Sequence, residues 1–345
     1  MNELYFAAPE QDVAVSSRVR LARNYQDAPY MPKMTEEWAE ETIRRASEAM
    51  MNAPDATAYE GVRMKDLSEN EQQELVEHRL ISYDLLKYTD YAAALLSSGR
   101  TVSVMINEED HVRVQGLLPG LQLERAAELA FRADDSLSQH AAFAFDRQWG
   151  YLTACPANAG TGMRASVILH LPALQAAGQL GALGQNMAKI GITIRGVYGE
   201  GSDALGGLYL LSNQATLGRS EEDILRSLEA AAAQICTHER ELREGVLKQD
   251  RLMVEDKLMR SVGVLREARI LRLDEFMKHM SDLRLACAVG VLDAPLHRID
   301  ELIMDLQPGS LCARAKESLS QRQIDEMRAA HMREAMRRAP IAQGN

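Results

Sequence analysis

The 345-residue sequence is poor in the features that mark secreted, membrane-spanning and zinc-binding proteins. It contains four cysteines, none of them in a CxxC pair: Cys155, Cys236, Cys287 and Cys312. Cysteines so far apart indicate neither a disulfide framework nor a zinc site, so we expect reduced thiols. No apolar run is long enough to span a bilayer, and the acidic start, MNELYFAAPEQD, has no basic region leading into an apolar one. These absences predict a cytoplasmic protein without a membrane partner.

Positive charges are outnumbered by negative ones. The chain has 39 lysines and arginines against 50 aspartates and glutamates, which gives a formal net charge of −11. Such a surface does not attract nucleic acid through a general positive field, so we expect no nucleic-acid partner. A local cationic pocket remains compatible with this charge. The informative residues are therefore the arginines that lie near glycines and carboxylates.

One segment, YLTACPANAGTGMR at residues 151–164, combines a thiol, two glycines and an arginine. A short strand-like run, 151–154, precedes Cys155, and the proline that follows prevents a helix from continuing. Gly160 and Gly162 permit backbone conformations and close approaches that a side chain would block, as at an anion site. A reactive loop and an ordinary turn with a buried cysteine both fit this segment when it is considered alone.

Arginines are paired in the segment SSRVRLAR, residues 16–23. Arg18 and Arg20 are two residues apart, so in a strand both guanidinium groups point to the same face. A strand that lines a site has this pattern, and so has an exposed basic edge strand.

Acidic residues cluster in NEED, residues 107–110, between two predicted strands at 101–106 and 111–117. A solvated turn is one interpretation of three consecutive acids at such a tip. The alternative is a carboxylate at the edge of a site, with Arg113 facing the same pocket.

The remaining pattern alternates helices with strands up to about residue 250. We predict helices at 35–51, 68–79, 121–141, 173–190 and 220–250, and strands at 143–153, 165–171, 192–197 and 208–213. Four glycines flank Glu200 and Asp203 in YGEGSDALGG, which indicates either a mobile lid or a flexible hairpin connection. Beyond 255 the pattern is helical with short connectors. We therefore predict a catalytic domain at 1–254 and a helical interaction or dimerisation domain at 255–345.

Together these residues fit the transfer of a phosphoryl group to a cationic acceptor. Several arginines can neutralise a polyphosphate, and a metal ion can bridge its phosphates. Carboxylates and a thiolate suit a guanidinium group, which donates paired hydrogen bonds to a carboxylate. Because the pKa of a guanidinium is about 12.5 or above, alignment and electrostatics have to supply most of the catalysis.

Four motifs in this order resemble the ATP:guanidino phosphotransferase (phosphagen kinase) family: SSRVRLAR, NEEDHVRVQ, YLTACPANAGTGMRASVILHLPAL and RGVYGEGSDALGGLYLLSNQATLG. The resemblance is greatest to the bacterial protein-arginine kinases of this family. Creatine and arginine kinases carry a helical domain before the SSR motif, whereas here the motif begins at Ser16. Its absence fits an open site for the arginine side chain of a protein.

The resemblance implies an α+β fold, in which an antiparallel β-sheet flanked by helices holds ATP and Mg²⁺ in its concave face and an all-helical C-terminal domain follows. It implies catalytic roles for Glu109, Cys155 and Glu200, with Cys155 beside the acceptor guanidinium. It assigns no protein side chain to the Mg²⁺, which ATP itself would hold. It implies ATP contacts from Ser16, Ser17, Arg18, Val19, Arg20, Arg113, Arg164, Ala165, Ser166, Val167, Ile168, Arg195, Gly196, Val197, Tyr198, Gly199 and Glu200.

Two positions depart from the pattern of the family. Arg79 occupies a place where the family usually has a histidine that contacts the nucleotide, which makes Arg79 a candidate contact. Related protein-arginine kinases carry RDxxRA as an allosteric phosphoarginine pocket. The corresponding residues here are Asp325, Arg328 and Ala329, with Ile324 in place of the first arginine.

The resemblance thus implies a kinase that transfers the γ-phosphoryl group of ATP to arginine side chains of proteins and marks them for a Clp-type protease. An activator protein and a homodimer formed by the C-terminal helices are further expectations. A kinase for a free guanidino compound and a catalytically silent phosphoarginine-binding module are the alternatives.

Overall fold

The computed structural model describes residues 7–53, 58–197, 204–338 and 342–343. The strands are β1 (Ala14–Arg23), β2 (Tyr59–Arg63), β3 (Ala93–Ser97), β4 (Val102–Ile106), β5 (Val112–Pro119), β6 (Phe145–Asp146), β7 (Gly150–Tyr151), β8 (Met163–His170), β9 (Ile192–Gly196), β10 (Leu208–Asn213), β11 (Leu292–Asp293) and β12 (Ala342–Gln343). The α-helices are α1 (Glu36–Met51), α2 (Glu69–Glu77), α3 (Leu123–His140), α4 (Pro172–Ala176), α5 (Leu180–Lys189), α6 (Glu221–Gln249), α7 (Arg251–Glu267), α8 (Leu273–Ala288), α9 (Leu296–Asp305), α10 (Pro308–Ala315) and α11 (Gln321–Arg338).

Eight strands form one antiparallel sheet in the order β2-β3-β4-β5-β1-β8-β10-β9. β1 lies inside this sheet and pairs with β5 on one side and β8 on the other. The possibility that β1 is an exposed edge strand is therefore wrong. The antiparallel sheet flanked by helices is confirmed, and the C-terminal part is helical apart from the two-residue pair β11–β12.

The two faces of the sheet have different neighbours. α1, α3 and α6 pack on one face, where Ile43, Ala126 and Leu228 join Val19 and Val167 of the strands in the largest core. This arrangement follows from strand periodicity, because alternate residues of β1 and β8 are apolar and point to the same face.

The opposite face is covered at its two ends. At one end, Val15 and Leu208 belong to the apolar core of the C-terminal helices, together with Phe276 of α8. At the other end, Met105 of β4 packs against the segment after α2, including Leu85. The rest of this face carries the candidate site.

Hydrogen bonds tie the C-terminal helices to the first half of the chain. The carboxylate of Glu77, the last residue of α2, accepts from the backbone N–H groups of Gly309 and Ser310, each at 2.8 Å, and from the Ser310 hydroxyl at 2.9 Å. These donors are unsatisfied N–H groups of the first turn of α10, where a negative charge is favourable. The fully buried Arg284 donates to the carbonyl oxygen of Gln11 at 2.6 Å. The helical part thus contacts the sheet through polar as well as apolar groups.

Helix boundaries largely follow the capping residues. Thr35, Ser68 and Ser220 accept hydrogen bonds at the N-termini of α1, α2 and α6, as their positions predict. The single helix predicted over 173–190 is wrong, because Gly178 has a φ of +67° and separates α4 from α5. Asp250 is the C-cap of α6 and the N-cap of α7, so the predicted domain boundary at 254/255 falls within α7. The division into two domains itself stays a prediction.

Strands were harder to predict than helices. The run 143–153 is not one strand, since it forms a hairpin of the two-residue strands β6 and β7, and residues 152–154 are irregular. β2 and β3 have no counterpart among the predicted strands. In the described part of the chain, no helix is both long and apolar enough to cross a membrane.

Gly116 of β5 tests the packing of α3 on the sheet. A Cβ at this position would lie 2.1 Å from the carbonyl oxygen of Ala126 in α3, so Gly116→Ala has to displace the helix. We expect this variant to lower the free energy of unfolding by about 1–3 kcal/mol in urea titrations. Gly245→Ala in α6 is the matched control, because nothing lies within 4 Å of its added Cβ. It should raise stability by up to about 1 kcal/mol, and equal effects of the two variants would contradict the packing argument.

Candidate active site

Five arginines from four strands lie on the same face of the sheet. Strand register shows this directly, because residues opposite each other on neighbouring strands share a face. Arg20 of β1 lies opposite Arg164 of β8, and Arg113 of β5 lies opposite Ala22, two residues further along β1. Arg195 of β9 reaches the same face through its pairing with Leu210, which lies opposite Ile168. Arg18, two residues before Arg20, completes the group, which we call the arginine face.

The arginine face has little compensating charge. Within the arginine face, Arg113 is the member that pairs with described carboxylates. Arg18, Arg20 and Arg164 form no ion pair with a described residue. Burial, followed by the charges of Arg20 and other arginines, lowers the pKa of Arg18 well below its usual value. Burial and then the charge of Arg113 lower the pKa of Arg20 to about 10. A guanidinium group keeps its charge in proteins at neutral pH, so this face strongly favours an anion.

Arg79 extends the arginine face from the segment after α2. Its backbone is in the left-handed region, with a φ of +62°, and its carbonyl oxygen accepts from Gln115 of β5 at 2.7 Å. Its Nη1 donates to the hydroxyl of Ser16 at 2.9 Å. Its Nη2 and the Nε of Arg164 are buried without a partner in the part of the chain that the structure describes. Buried cationic donors of this kind fit the oxygen atoms of a polyphosphate.

The turn between β4 and β5 holds the candidate catalytic carboxylate. It is not a solvated turn, since Glu108 and Asp110 are fully buried and Glu109 alone is partly exposed. Glu108 pairs with Arg113 at 2.6 Å and also accepts from the hydroxyl of Ser82. Arg113 Nη2 lies 3.5 Å from the Glu109 carboxylate. Glu109 is therefore held beside the arginine face and remains accessible from outside.

The pKa of Glu109 is raised above the usual value of a glutamate. Burial is the main cause, and the neighbouring charge of Asp110 adds to it, while Arg113 acts in the opposite direction. A carboxylate with a raised pKa is a stronger base, which suits a group that has to accept a proton.

Cys155 lies half-buried at the start of a short 3₁₀ turn, Pro156–Asn158. Its carbonyl oxygen accepts from the hydroxyl of Thr153 at 2.7 Å. The Thr216 hydroxyl donates to the carbonyl oxygen of Ala157 at 3.0 Å. The loop is therefore fastened on both sides of the thiol.

The two glycines after this loop are required by close backbone contacts. Gly162 has a φ of +64°, and a Cβ there would lie 2.7 Å from the carbonyl oxygen of Ala22. Gly160 has a φ of +101°, and its Cβ would lie 2.5 Å from the carbonyl oxygen of Thr216. Both positions let the loop return to the sheet and enter β8 at Arg164.

A buried polar network joins Glu109 to the Cys155 loop, and sequence reasoning missed it. Asp110 Oδ1 accepts from Asn24 Nδ2 at 2.6 Å and from the backbone N–H of Ala154 at 2.7 Å. Asn24 also donates to the carbonyl oxygen of Leu152 at 3.0 Å and accepts from the His111 N–H at 2.9 Å. The residues next to Glu109 and Cys155 thus share one hydrogen bond. The only signal of this network in the sequence was that Asn24, Glu109 and Asp110 all follow strands.

Several residues predicted to bind ATP have side chains that point elsewhere. Val19, Ala165 and Val167 belong to the core on the other face, and the Ser17 hydroxyl donates to the carbonyl oxygen of Gly120 at 2.8 Å. Ser166 and Ile168 lie on the arginine face, opposite Arg18 and Ser16 respectively. Gly196 approaches Ala204 closely, and Val197 packs against the C-terminal core. Tyr198, Gly199 and Glu200 lie outside the described residues. The roles of all these residues stay predictions.

The candidate regulatory residues lie inside the C-terminal helices. Arg328 is fully buried, and its Nε and Nη1 donate to the carbonyl oxygens of Leu306 and Leu271 at 2.9 and 2.7 Å. Nη1 also pairs with Asp325 at 2.7 Å, and Ile324 is buried in the same core. Ala329 is fully buried as well. A phosphoarginine pocket at these residues stays a prediction, and it has to compete with these contacts.

Comparison with known proteins identifies the family. A family model for the C-terminal catalytic domain of ATP:guanido phosphotransferases matches residues 40–242, which is more than half of the chain. The chain belongs to this family. Its predicted resemblance to the family is thereby confirmed, and ATP follows as the phosphoryl donor. A second model, described as the C-terminal domain of the protein-arginine kinase McsB, matches residues 251–344.

Curated proteins named protein-arginine kinase match most of the chain. A protein-arginine kinase of Caldanaerobacter subterraneus subsp. tengcongensis is 42% identical over 304 residues, which cover 88% of this chain and 90% of the relative. A protein-arginine kinase of Brevibacillus brevis is 41% identical over 333 residues, which cover 95% and 93% of the two chains.

Solved structures show the same fold. Lombricine kinase has a TM-score of 0.61 at 22% identity, and the match covers 68% of each chain. The duplicated taurocyamine kinase from Schistosoma mansoni, solved with components of a transition-state analogue, has a TM-score of 0.61 at 26% identity. That match covers 69% of this chain and 35% of the duplicated one.

A dedicated protein site for Mg²⁺ does not emerge from the described residues. They contain no group of three or more histidine, cysteine, aspartate or glutamate side chains that could hold a metal ion. The arginine face is cationic and would repel a bare cation. That Mg²⁺ enters with ATP and is held by its phosphates stays a prediction.

Arg20 tests the arginine face. Arg20→Ala removes a buried cation that has no carboxylate partner among the described residues, so ATP should lose a charge-assisted contact. We expect the Kd of a non-hydrolysable ATP analogue to rise by about tenfold or more in isothermal titration calorimetry. Arg226→Ala, an exposed α6 residue paired with Glu222, is the control and should leave the Kd unchanged. An unaltered Kd in a folded Arg20→Ala variant would remove Arg20 from the phosphate site.

Proposed function

We propose that this protein is a protein-arginine kinase, which transfers the γ-phosphoryl group of ATP to the guanidinium group of arginine side chains in other proteins. The observation that carries the proposal is the arginine face with Glu109 and the Cys155 loop at its edge. The arginine face suits a polyphosphate, and Glu109 with the Cys155 loop suits a cation. The two curated relatives described above, at about 40% identity over most of the chain, are both named protein-arginine kinase.

The arginine face would hold the phosphates of ATP. Arg18, Arg20, Arg113, Arg164 and Arg195 present guanidinium groups from adjacent strands, so the bound phosphates are oriented by a rigid sheet. Mg²⁺ carried by ATP would neutralise part of the negative charge of its phosphates.

Glu109 would act on the acceptor. Its carboxylate accepts hydrogen bonds from the substrate guanidinium and takes the proton that leaves the attacking nitrogen. The nitrogen–phosphorus bond forms as the bond from the γ-phosphorus to the bridging oxygen of ADP breaks. Cys155, held by the loop that Asp110 fastens, would lie on the other side of the guanidinium. Glu200 would complete the acceptor site from outside the described residues.

The cellular setting is also a proposal. A cytoplasmic enzyme fits the absence of disulfides among the described residues, where all four cysteines are free. We propose that phosphorylated proteins are passed to a Clp-type protease, that an activator protein regulates the kinase, and that the helices α7–α11 support a homodimer.

Arginine phosphorylation itself is the decisive measurement. The purified protein, incubated with ATP, Mg²⁺ and an unfolded acceptor protein, should form an acid-labile phosphoramidate on arginine, detected by mass spectrometry under non-acidic conditions. Phosphoserine or phosphothreonine alone would refute the proposal. Turnover of free arginine without labelling of the protein would instead indicate a kinase for a free guanidino compound, and labelling of neither acceptor would favour a silent binding module.

Glu109→Gln separates catalysis from nucleotide binding. The variant keeps the size of the side chain but cannot accept a proton, so kcat should fall by at least about 10²-fold while the Kd for ATP is retained. In the wild-type enzyme, the raised pKa of Glu109 means that kcat/KM falls on the acid side at a pH above the usual glutamate value. This fall of kcat/KM at acid pH should disappear in Glu109→Gln. The exposed α3 variant Glu128→Gln should change neither quantity, and near-normal turnover of Glu109→Gln would exclude Glu109 from the mechanism.

A further inference from the structure

The side chain of Asn24, the first residue after β1, lies where three segments of the chain meet. It is almost fully buried. Its Nδ2 donates to the Asp110 carboxylate at 2.6 Å and to the carbonyl oxygen of Leu152 at 3.0 Å. Its Oδ1 accepts from the backbone N–H of His111 at 2.9 Å. Both protons of the amide nitrogen and the amide oxygen therefore have partners.

An amide is the group that matches these three partners. A carboxylate and a carbonyl oxygen accept hydrogen bonds, so the amide nitrogen has to face Asp110 and Leu152. An aspartate at position 24 would instead turn an oxygen towards both of them, and a buried oxygen that faces other oxygens is strongly unfavourable. The network thus distinguishes asparagine from the aspartate of the same shape.

The Asp110 carboxylate depends on Asn24. Its Oδ1 accepts from Asn24 and from the backbone N–H of Ala154, at 2.6 and 2.7 Å. Its Oδ2 is buried without a partner in the part of the chain that the structure describes. Loss of the Asn24 amide would leave this buried carboxylate with one donor among the described residues, so Asp110 would have to move or take up water.

The two partners of this bond are the direct neighbours of the candidate acceptor groups. Asp110 follows Glu109, and Ala154 precedes Cys155. A shift of Asp110 therefore changes the position of Glu109 relative to Cys155. Misplacement of reacting groups by about 1 Å can lower a rate by about 10²-fold. None of the five arginines of the arginine face contributes to this network.

We infer that Asn24 is a positioning residue for the acceptor side of the reaction. It touches no substrate and acts through Asp110, which links the turn of Glu109 to the loop of Cys155. The inference rests on the proposed function and adds to it a residue that lies just beyond the SSRVRLAR motif.

The backbone around Asn24 has anchors of its own. The Tyr25 N–H donates to Nδ1 of His111 at 3.0 Å, and the Ala144 N–H donates to the Asn24 carbonyl oxygen at 2.7 Å. These bonds do not involve the Asn24 side chain. Substitutions of that side chain should therefore leave the fold in place.

The kinetics of Asn24→Ala and Asn24→Asp test the inference. With an unfolded acceptor protein, kcat for arginine phosphorylation should fall by about tenfold or more in Asn24→Ala, and at least as far in Asn24→Asp. The Kd of a non-hydrolysable ATP analogue should stay within about twofold of the wild-type value, since the arginine face is unaltered. An unchanged kcat would overturn the inference, and so would a Kd that weakens as much as kcat falls.

Gln72→Glu is the matched control for Asn24→Asp. Gln72 of α2 is a buried amide whose Nε2 donates to the carbonyl oxygens of Met64 and Leu67 at 2.8 and 3.3 Å. The chemical change is the same, but these bonds join residues of one local segment. Gln72→Glu should lower the melting temperature and keep kcat within about twofold. If it lowers kcat as much as Asn24→Asp does, general destabilisation explains both results and the inference fails.

Alkylation of the cysteines by iodoacetamide supplies a measurement that needs no kinase activity. Without the Asn24 amide, the loop that Asp110 holds should open more often, so Cys155 of Asn24→Ala should be labelled about three to ten times faster than in the wild type. Cys236 and Cys312 are buried and should keep their rates, as followed by peptide mass spectrometry. Faster labelling of all these thiols would indicate global loosening and contradict a positioning role.

The two measurements separate this inference from the proposed function. If the wild type phosphorylates no arginine while Asn24→Ala still accelerates Cys155 labelling, the kinase activity is refuted and the hold of Asn24 on the loop is established. If the wild type is an active kinase and Asn24→Ala changes neither kcat nor labelling, the inference is refuted and the kinase stands. Failure of both Asn24 variants to fold would make Asn24 a residue of the fold alone and would also overturn the inference.

Discussion

Repulsion among the buried guanidinium groups of one sheet face is the constraint on which the rest of the structure depends. Removing such groups from water costs several kcal/mol each, and placing them side by side adds to that cost. The pKa of Arg18 falls well below its usual value for both reasons. The protein tolerates this because the other face of the same strands is largely apolar and packs against α1, α3 and α6. An anion on the arginine face removes the repulsion, so anion binding and folding stability are linked.

The difference between the two faces of the sheet fixes the register in which β1 and β8 pair. β1 and β8 are paired along most of their length, and a slip of one residue would turn Arg18 and Arg20 into the apolar core and Val19 towards the arginines. The register is therefore selected twice, by apolar burial on one face and by charge on the other. Glu109 and Cys155 lie beyond the ends of the strands, where Asp110 accepts hydrogen bonds from Asn24 and from the backbone of Ala154 and so links the two segments.

Local pattern in the sequence was sufficient for some of these features. Two-residue periodicity placed Arg18 and Arg20 on a shared face, and capping residues located α1, α2 and α6. The motifs identified Glu109, Cys155 and the five arginines as a set. Sequence could not reveal that β1 is central, because strand order depends on pairing between segments about a hundred residues apart. The Asn24–Asp110 hydrogen bond joins residues 86 positions apart, so no local pattern encodes it. The break at Gly178 was missed because a glycine is compatible with either a helix or a left-handed turn.

The carboxylate of Glu77 has a consequence for the modularity of the chain. It binds the first turn of α10, and only two residues later Arg79 reaches Ser16 at the edge of the arginine face. The C-terminal helices are therefore part of the structural support of the arginine face. In evolutionary terms, the two halves cannot be recombined freely between relatives, because a foreign C-terminal half has to supply both the donors that satisfy Glu77 and the apolar surface that covers Val15 and Leu208. A substitution that displaces the first turn of α10 should therefore also disturb the position of Arg79.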